Sequence, residues 1–299
     1  MKQDRSIRLT THFFPLMALV GFALFVPTPG ANARPVVASD NASDAVYNDG
    51  WQTGDNGGFG FGAWTLSTAG GNAGFFIGTS KGNGGGGSNG IDTAGESFGL
   101  FANSNDNPSA LASRPINSAV VVGGTVSFGF DNGFVDGGRA PQFLLADGGG
   151  VARLTFQFVG GGNNYSVIDA GGTQNFGNGN GANDLGQYTD GGLSGTFTLT
   201  GLDAYTLQVT RRAPSFDPSQ PIQTATISGT LAGTSGSSIT QLQAFTNAGG
   251  GGGTGDFFVN SFQVETPDVT VVPEVGTLSL AIIAVGVLGA CIVRRTENE

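Results

Sequence analysis

The residue types that build most redox, metal and nucleophilic sites are almost missing from this sequence. Of 299 residues, one is cysteine (Cys291), one is histidine (His12) and two are methionine (Met1 and Met17). None of them falls within residues 34–272. That stretch cannot form an internal disulfide. It also lacks the side chains for a Cys–His pair, a Ser-His-Asp triad or a zinc site built from His or Cys. Charge is scarce and mostly of one sign: 18 Asp and Glu face 7 Lys and Arg over residues 34–272. An acidic surface repels nucleic acid and anionic lipid, so nucleic acid is excluded as a partner.

Glutamate is rarer still, with only Glu96 and Glu265 in that stretch. Glycoside hydrolysis needs two carboxylates flanking the scissile bond. Glu265 ends the last apolar alternation beside a linker, and most Asp residues stand in Asn/Gly turns. The Glu-x-Asp-x-Glu strand motif of sandwich-fold glucanases is absent. The expectation is a protein that is not an enzyme. A hydrolase would require Glu96 to face a second carboxylate across a groove.

Long hydrophobic runs occur only at the two ends. Residues 1–33 have a basic start (Lys2, Arg5, Arg8), an apolar stretch from Phe13 to Val26, and a small-x-small close at Ala31-Asn32-Ala33. This is the layout of a secretory signal cleaved after Ala33, since about 14 apolar residues fall short of the roughly 20 that a span needs. Near the other end, Gly276–Val293 carries no charge and is followed at once by Arg294-Arg295. As a helix it reaches about 27 Å, enough to cross a hydrocarbon core. The arginines act as a cytoplasmic stop and leave the preceding chain outside.

What is abundant is glycine and phenylalanine. Residues 34–272 hold 49 Gly and 19 Phe, with Trp51, Trp64 and four Tyr. So many aromatics argue against a disordered coil. Apolar residues alternate in Val126/Phe128/Phe130, Leu154/Phe156/Phe158, Phe197/Leu199, Tyr205/Leu207/Val209 and Phe258/Phe262/Val264, the last set interrupted by Asn260. Period two marks strands with one buried face. Asn/Asp/Gly clusters such as Asp131-Asn132-Gly133 and Asp147-Gly148-Gly149 supply tight connections. About 12 to 14 strands are expected in an all-β, two-sheet antiparallel sandwich or jelly roll. The expected layout is signal 1–33, extended lead-in 34–46, sandwich 47–266, linker 267–271 and membrane tail 272–299 with its helix at 276–293. Lys81–Gly90, Asn175–Asp184 and Gly249–Gly255 read as long loops.

Two kinds of ligand site fit such a surface. Sugar-binding sandwiches stack aromatic rings on pyranose faces, and Trp51, Trp64 and Tyr165 are the candidates here. Calcium takes oxygen ligands from Asp, Asn and backbone carbonyls, and Asp106, Asp131 and Asp184 lie in suitable clusters. Cation-free turn capping is the plainer role for these aspartates, so no cofactor is required. The Gly-x-Gly-x-x-Gly match at Gly82–Gly87 lies inside a glycine run without strand or helix around it, and points to no dinucleotide.

The C-terminal tail resembles the PEP-CTERM sorting signals of Gram-negative bacteria. The resemblance covers Val272 to Arg295: Pro273-Glu274, the Gly276-Thr277-Leu278 helix start, the apolar run and the basic pair. It departs at Val275, where the motif has a second proline. Membership implies processing near Pro273-Glu274 by an exosortase, a membrane-embedded transpeptidase. It further implies a transient inner-membrane anchor, then residence at the cell surface or in an exopolysaccharide matrix. The blocks Asn48–Trp51, Ser127–Gly133 and Asp256–Phe262 are similar to strands of concanavalin-like jelly rolls. Two roles follow for the region between the signals: a structural surface or matrix protein, or a calcium-assisted glycan-binding module.

Overall fold

The computed structural model describes residues 33–81, 83, 90–103, 107–177, 185, 191–212, 223–247 and 255–267. The signal segment through Ala31, the motif Pro273-Glu274, the apolar run 276–293, the stop pair Arg294-Arg295, and Asp106 and Asp184 all lie outside the described residues. So do the greater parts of the three expected long loops. Ala33 is an exposed coil residue. Among the described residues no helix is long and apolar enough to cross a membrane.

Fifteen strands are found among these residues: β1 (Val36–Asp40), β2 (Thr65–Ala69), β3 (Ala73–Gly78), β4 (Ser97–Ala102), β5 (Ser109–Pro115), β6 (Thr125–Asn132), β7 (Pro141–Ala146), β8 (Ala152–Phe158), β9 (Tyr165–Asp169), β10 (Gly172–Asn175), β11 (Leu193–Leu199), β12 (Ala204–Arg211), β13 (Thr224–Thr230), β14 (Gln241–Thr246) and β15 (Phe257–Glu265). A 3-10 turn spans Ala45–Tyr47. One sheet runs β13-β12-β11-β6-β15-β4-β3, with β1 also paired to β15; the other runs β10-β9-β8-β7-β14-β5-β2. Every pairing is antiparallel. The described residues form an all-β, two-sheet sandwich, as the alternation predicts.

The alternating residues meet between the sheets. Phe128 of β6 stacks on Phe143 of β7 with ring centres 4.0 Å apart. Phe130 meets Phe156 edge to face at 4.9 Å, and Phe197 stacks on Tyr205 at 5.8 Å. Edge-to-face and offset pairs add stabilisation beyond area burial. The glycine excess has a matching cause. A Cβ on Gly195 would lie 2.3 Å from Phe128 Cζ, one on Gly99 2.4 Å from Phe76 Cζ, and one on Gly74 2.7 Å from Phe101 Cζ. Each ring lies flat on a glycine of the neighbouring strand, so the two abundant residue types are used as pairs.

Two expectations are corrected. The lead-in 34–46 is part of the sandwich: β1 pairs with the end of β15, and Ala38, Asp40 and Ala42 are buried. Its short run, Val-Val-Ala-Ser-Asp, carries too little alternation to be read as a strand, and only the partner makes it one. The second correction concerns β15. Phe258 does not share a face with Phe262 and Val264. Register shifts between Asn260 and Gln263, with Ser261 at φ 53°. This bulge turns Phe257 and Val259 into the core before it, and Phe262 and Val264 after it. A bulge adds one residue and so flips the alternation beyond it. It falls where β15 changes neighbour, from β4 at residues 257–259 to β1 at residues 262–265.

Asn260, the exception in the alternation, thereby becomes a buried hub. Its Oδ1 accepts from Ala42 N at 3.0 Å, and its Nδ2 donates to Glu96 O at 2.8 Å and Ile91 O at 3.1 Å. It joins the β1 end and the segment before β4 to the sheet. The segment Asn175–Asp184, expected to be loop, opens instead on the last residue of β10, and its Phe176 is buried.

Candidate functional site

The site is built on a buried charge network that holds the segment after β1 in place. Asp40 and Arg114 form an ion pair with no exposed side-chain surface. Tyr47 donates its hydroxyl to Asp40 Oδ2 at 2.7 Å and accepts from Trp64 Nε1 and Gly57 N, both at 3.1 Å. Arg114 also donates to Gly62 O (Nη2, 2.9 Å) and Asn56 Oδ1 (3.0 Å). Its guanidinium lies 4.6 Å from the Phe61 ring centre and 4.8 Å from that of Trp64. A buried charge survives only when paired and hydrogen-bonded. Burial still pushes the Asp40 carboxyl up to about 6, against the opposing pull of Arg114. The chain passes so close here that Gly58, at φ +66°, would place a Cβ 1.9 Å from Ser39 O.

Held this way, residues 47–52 turn beside β3 and line an open cavity of about 610 Å³. Its walls are Tyr47–Gln52, Phe75–Ile77 and Glu96. β3 is the last strand of its sheet, and among the described residues it pairs only with β4. Trp51 meets Trp64 edge to face at 5.0 Å and Phe75 at 5.4 Å. Its indole Nε1 is buried without a hydrogen-bond partner among the described residues. Phe75, Phe76 and Ile77 are half-buried, and the rim carries Asn48, Asp49, Gln52 and Glu96. Apolar walls with a few polar groups are what ligand cavities generally show. No Lys or Arg is among the lining residues.

The sequence-derived aromatic site does not assemble. Trp51, Trp64 and Tyr165 are 4, 1 and 0% exposed, so none presents a face to solvent. Trp64 is locked under Arg114. Tyr165 packs on Phe156 with ring centres 5.6 Å apart and donates to Asn132 Oδ1 at 2.6 Å. Only Trp51 reaches the cavity. Its partners Gln52, Phe75, Phe76 and Ile77 were not legible, because nothing local links residues 47–52 to 75–77. Glu96 does share a cavity with a second carboxylate, Asp49. Asp49 is exposed and Glu96 half-buried.

Of the calcium candidates, Asp131 is described. It is 1% exposed on the outer side of β6, and its Oδ1 accepts from Asn83 Nδ2 at 3.1 Å. Asn83 Nδ2 also donates to Asp256 O at 3.0 Å, while its own Oδ1 is buried without a partner among the described residues. No group of three or more His, Cys, Asp and Glu converges among the described residues. Burial pushes the Asp256 carboxyl up to about 6, partly offset by a hydrogen bond from Asn103. A raised carboxyl contributes stability that is full below its ordinary value of 3.8 and lost as pH climbs through 6. Asp256→Asn should therefore leave stability unchanged near pH 3.5 and raise it at pH 7, by about 1 kcal/mol after allowing for solvent screening. Urea unfolding at the two pH values measures the difference.

No protein-family model matches the chain, and no curated protein matches it. Solved structures are similar only in broad outline. The binding domain of botulinum neurotoxin serotype D shares 11% identity at a TM-score of 0.37, over 69% of this chain and 44% of that one. The carbohydrate recognition domain of Emp46p, in its potassium-bound form, shares 14% at 0.36, over 69% and 89%. The exoplasmic/lumenal domain of VIP36, bound to Ca2+ and Man3GlcNAc, shares 11% at 0.35, over 72% and 89%. The chain thus spans less than half of the neurotoxin domain it matches.

Proposed function

We propose that this protein is a non-enzymatic, exported β-sandwich that binds carbohydrate in the cavity between residues 47–52 and the free edge of β3. The observation that carries the proposal is the lining. The Trp51 edge and half-buried Phe75 and Phe76 offer apolar surface to a sugar ring, while Asn48, Asp49, Gln52 and Glu96 offer hydroxyl partners. Binding without turnover is favoured because glycoside hydrolysis needs two carboxylates flanking the scissile bond, and Asp49 stands exposed at the rim. Calcium assistance, the finer form of the proposal, rests on Asp131 and the Asn83 carboxamide beside it. The test is titration calorimetry of the mature chain against oligosaccharides selected on a glycan array, with calcium and then with chelator. Gln52→Ala with Glu96→Gln should weaken binding about tenfold, the loss of one to two hydrogen bonds. No retention on the array, or unchanged affinity in the double variant, removes the cavity from the proposal. Unchanged affinity in chelator removes calcium.

The proposed address follows from the tail: sorting by an exosortase through Pro273-Glu274, a transient anchor, and delivery to the surface or an exopolysaccharide matrix. Replacing Pro273 and Glu274 with alanine should leave full-length protein in the inner membrane. Immunoblotting of membrane and extracellular fractions checks this, and a variant that matures like wild type sinks the sorting proposal.

A further inference from the structure

The two ends of the sandwich differ. At one end the described chain begins at Ala33 and finishes at Pro267, brought together by the pairing of Val36 with Glu265. The β5–β6 connection joins them there: Arg34 Nη1 donates to Gly123 O at 2.9 Å, and Gly123 N donates to Leu199 O at 2.6 Å. The β11–β12 connection follows Leu199, and Leu202 Cδ1 would be 3.8 Å from a Cβ on Gly236. The exposed tips at this end are apolar: Val36 39%, Val121 49%, Val122 52%, Val151 55% and Leu202 72% exposed. The acids near them are engaged within the protein. Asp203 pairs with Arg153, Asp147 accepts from Gly149 N and Val151 N, and Glu265 accepts from Thr125. The opposite end exposes Phe134, at 62%, beside half-buried Asn103 and Asp256, while Asn83 and Asn132 there are buried.

We infer that the end formed by Val121, Val122 and Leu202 rests in the interfacial layer of a lipid bilayer. The inference stands on the reading of residues 276–293 as a membrane span. Only eight residues, 268–275, separate Pro267 from that run. Fully extended they reach about 28 Å, no more than the length of the nine-residue β15, so the end bearing Pro267 is kept within that distance of the bilayer. Apolar tips at a site held there lose water-exposed surface on touching the interface. Because the chain is acidic, the partner is a zwitterionic rather than an anionic surface.

The experiment uses the chain from Arg34 to Glu299, with its tail uncleaved and Cys291→Ser, reconstituted in phosphatidylcholine vesicles. A single fluorophore is attached through Val122→Cys or, at the opposite end, through Phe134→Cys. Lipids spin-labelled near the headgroup should quench the first label and spare the second. Val121→Ser with Leu202→Ser should abolish the quenching at position 122 while the protein still floats with the vesicles. Flotation with equal quenching at both positions, or with none, overturns the inference and leaves the tail reading intact. Failure to float overturns the tail reading, and the inference falls with it.

Discussion

Arg114→Ala should cost about 3–5 kcal/mol, the range for breaking a buried ion pair by removing one partner. The variant keeps Asp40 buried and strips its cation. It also removes the guanidinium from the faces of Phe61 and Trp64 and leaves Gly62 O and Asn56 Oδ1 without that donor. With total stabilities of about 5–15 kcal/mol, the loss is a large share and should be plain as a drop of about 10 °C in Tm. It should also depend on pH. In the native protein, Asp40 is pushed up by burial and restrained by Arg114. Without the restraint its carboxyl rises further above its unfolded value. Stability from such a group is full at low pH and lost as pH rises, so the deficit should be larger at pH 8 than at pH 4. A pH-independent deficit would mean that packing, not the unpaired carboxylate, dominates. Asp40→Leu added to Arg114→Met should recover part of the loss, because an apolar pair leaves no buried charge.

The second large effect concerns the glycine–phenylalanine pairs. Gly195→Ala should destabilise by about 1–3 kcal/mol, the usual cost of overpacking. The introduced Cβ would meet three ring atoms of Phe128, at 2.3, 2.5 and 2.7 Å. The ring cannot yield outward, because its other face lies on Phe143 at 4.0 Å. Phe128→Leu in the same chain should return part of the loss by freeing the space. Alanine at exposed Gly137, where a Cβ meets nothing within 4 Å, is the control and should be close to neutral. Chemical denaturation of the three variants decides it: if Gly195→Ala matches Gly137→Ala, the close approach costs nothing. The composition makes this general, since rings on Gly99 and Gly74 repeat the arrangement.

Much of the fold was legible because its cause is local. Val126, Phe128 and Phe130 alternate with small residues, and any pleated strand must put them on one face. The absence of Cys and His, the acidic balance and the apolar tail are equally local, and they determined which chemistries were closed to the region between residues 34 and 272. The cavity was not legible. It exists because Asp40, Arg114, Tyr47 and Trp64, drawn from four parts of the chain, share one buried network that places Trp51 beside Phe75. The aromatic reading of Trp64 and Tyr165 failed for the same reason: exposure belongs to the assembled sheets, not to residue type. β1 became a strand only through its pairing with β15, and Asn260 became a hub because the bulge at Ser261 puts it on the face opposite Phe262 and Val264. What the sequence determined by itself was period, charge and the chemistry excluded. Register, edges and closeness were decided by the tertiary structure, because contacts between distant residues depend on how whole strands are aligned.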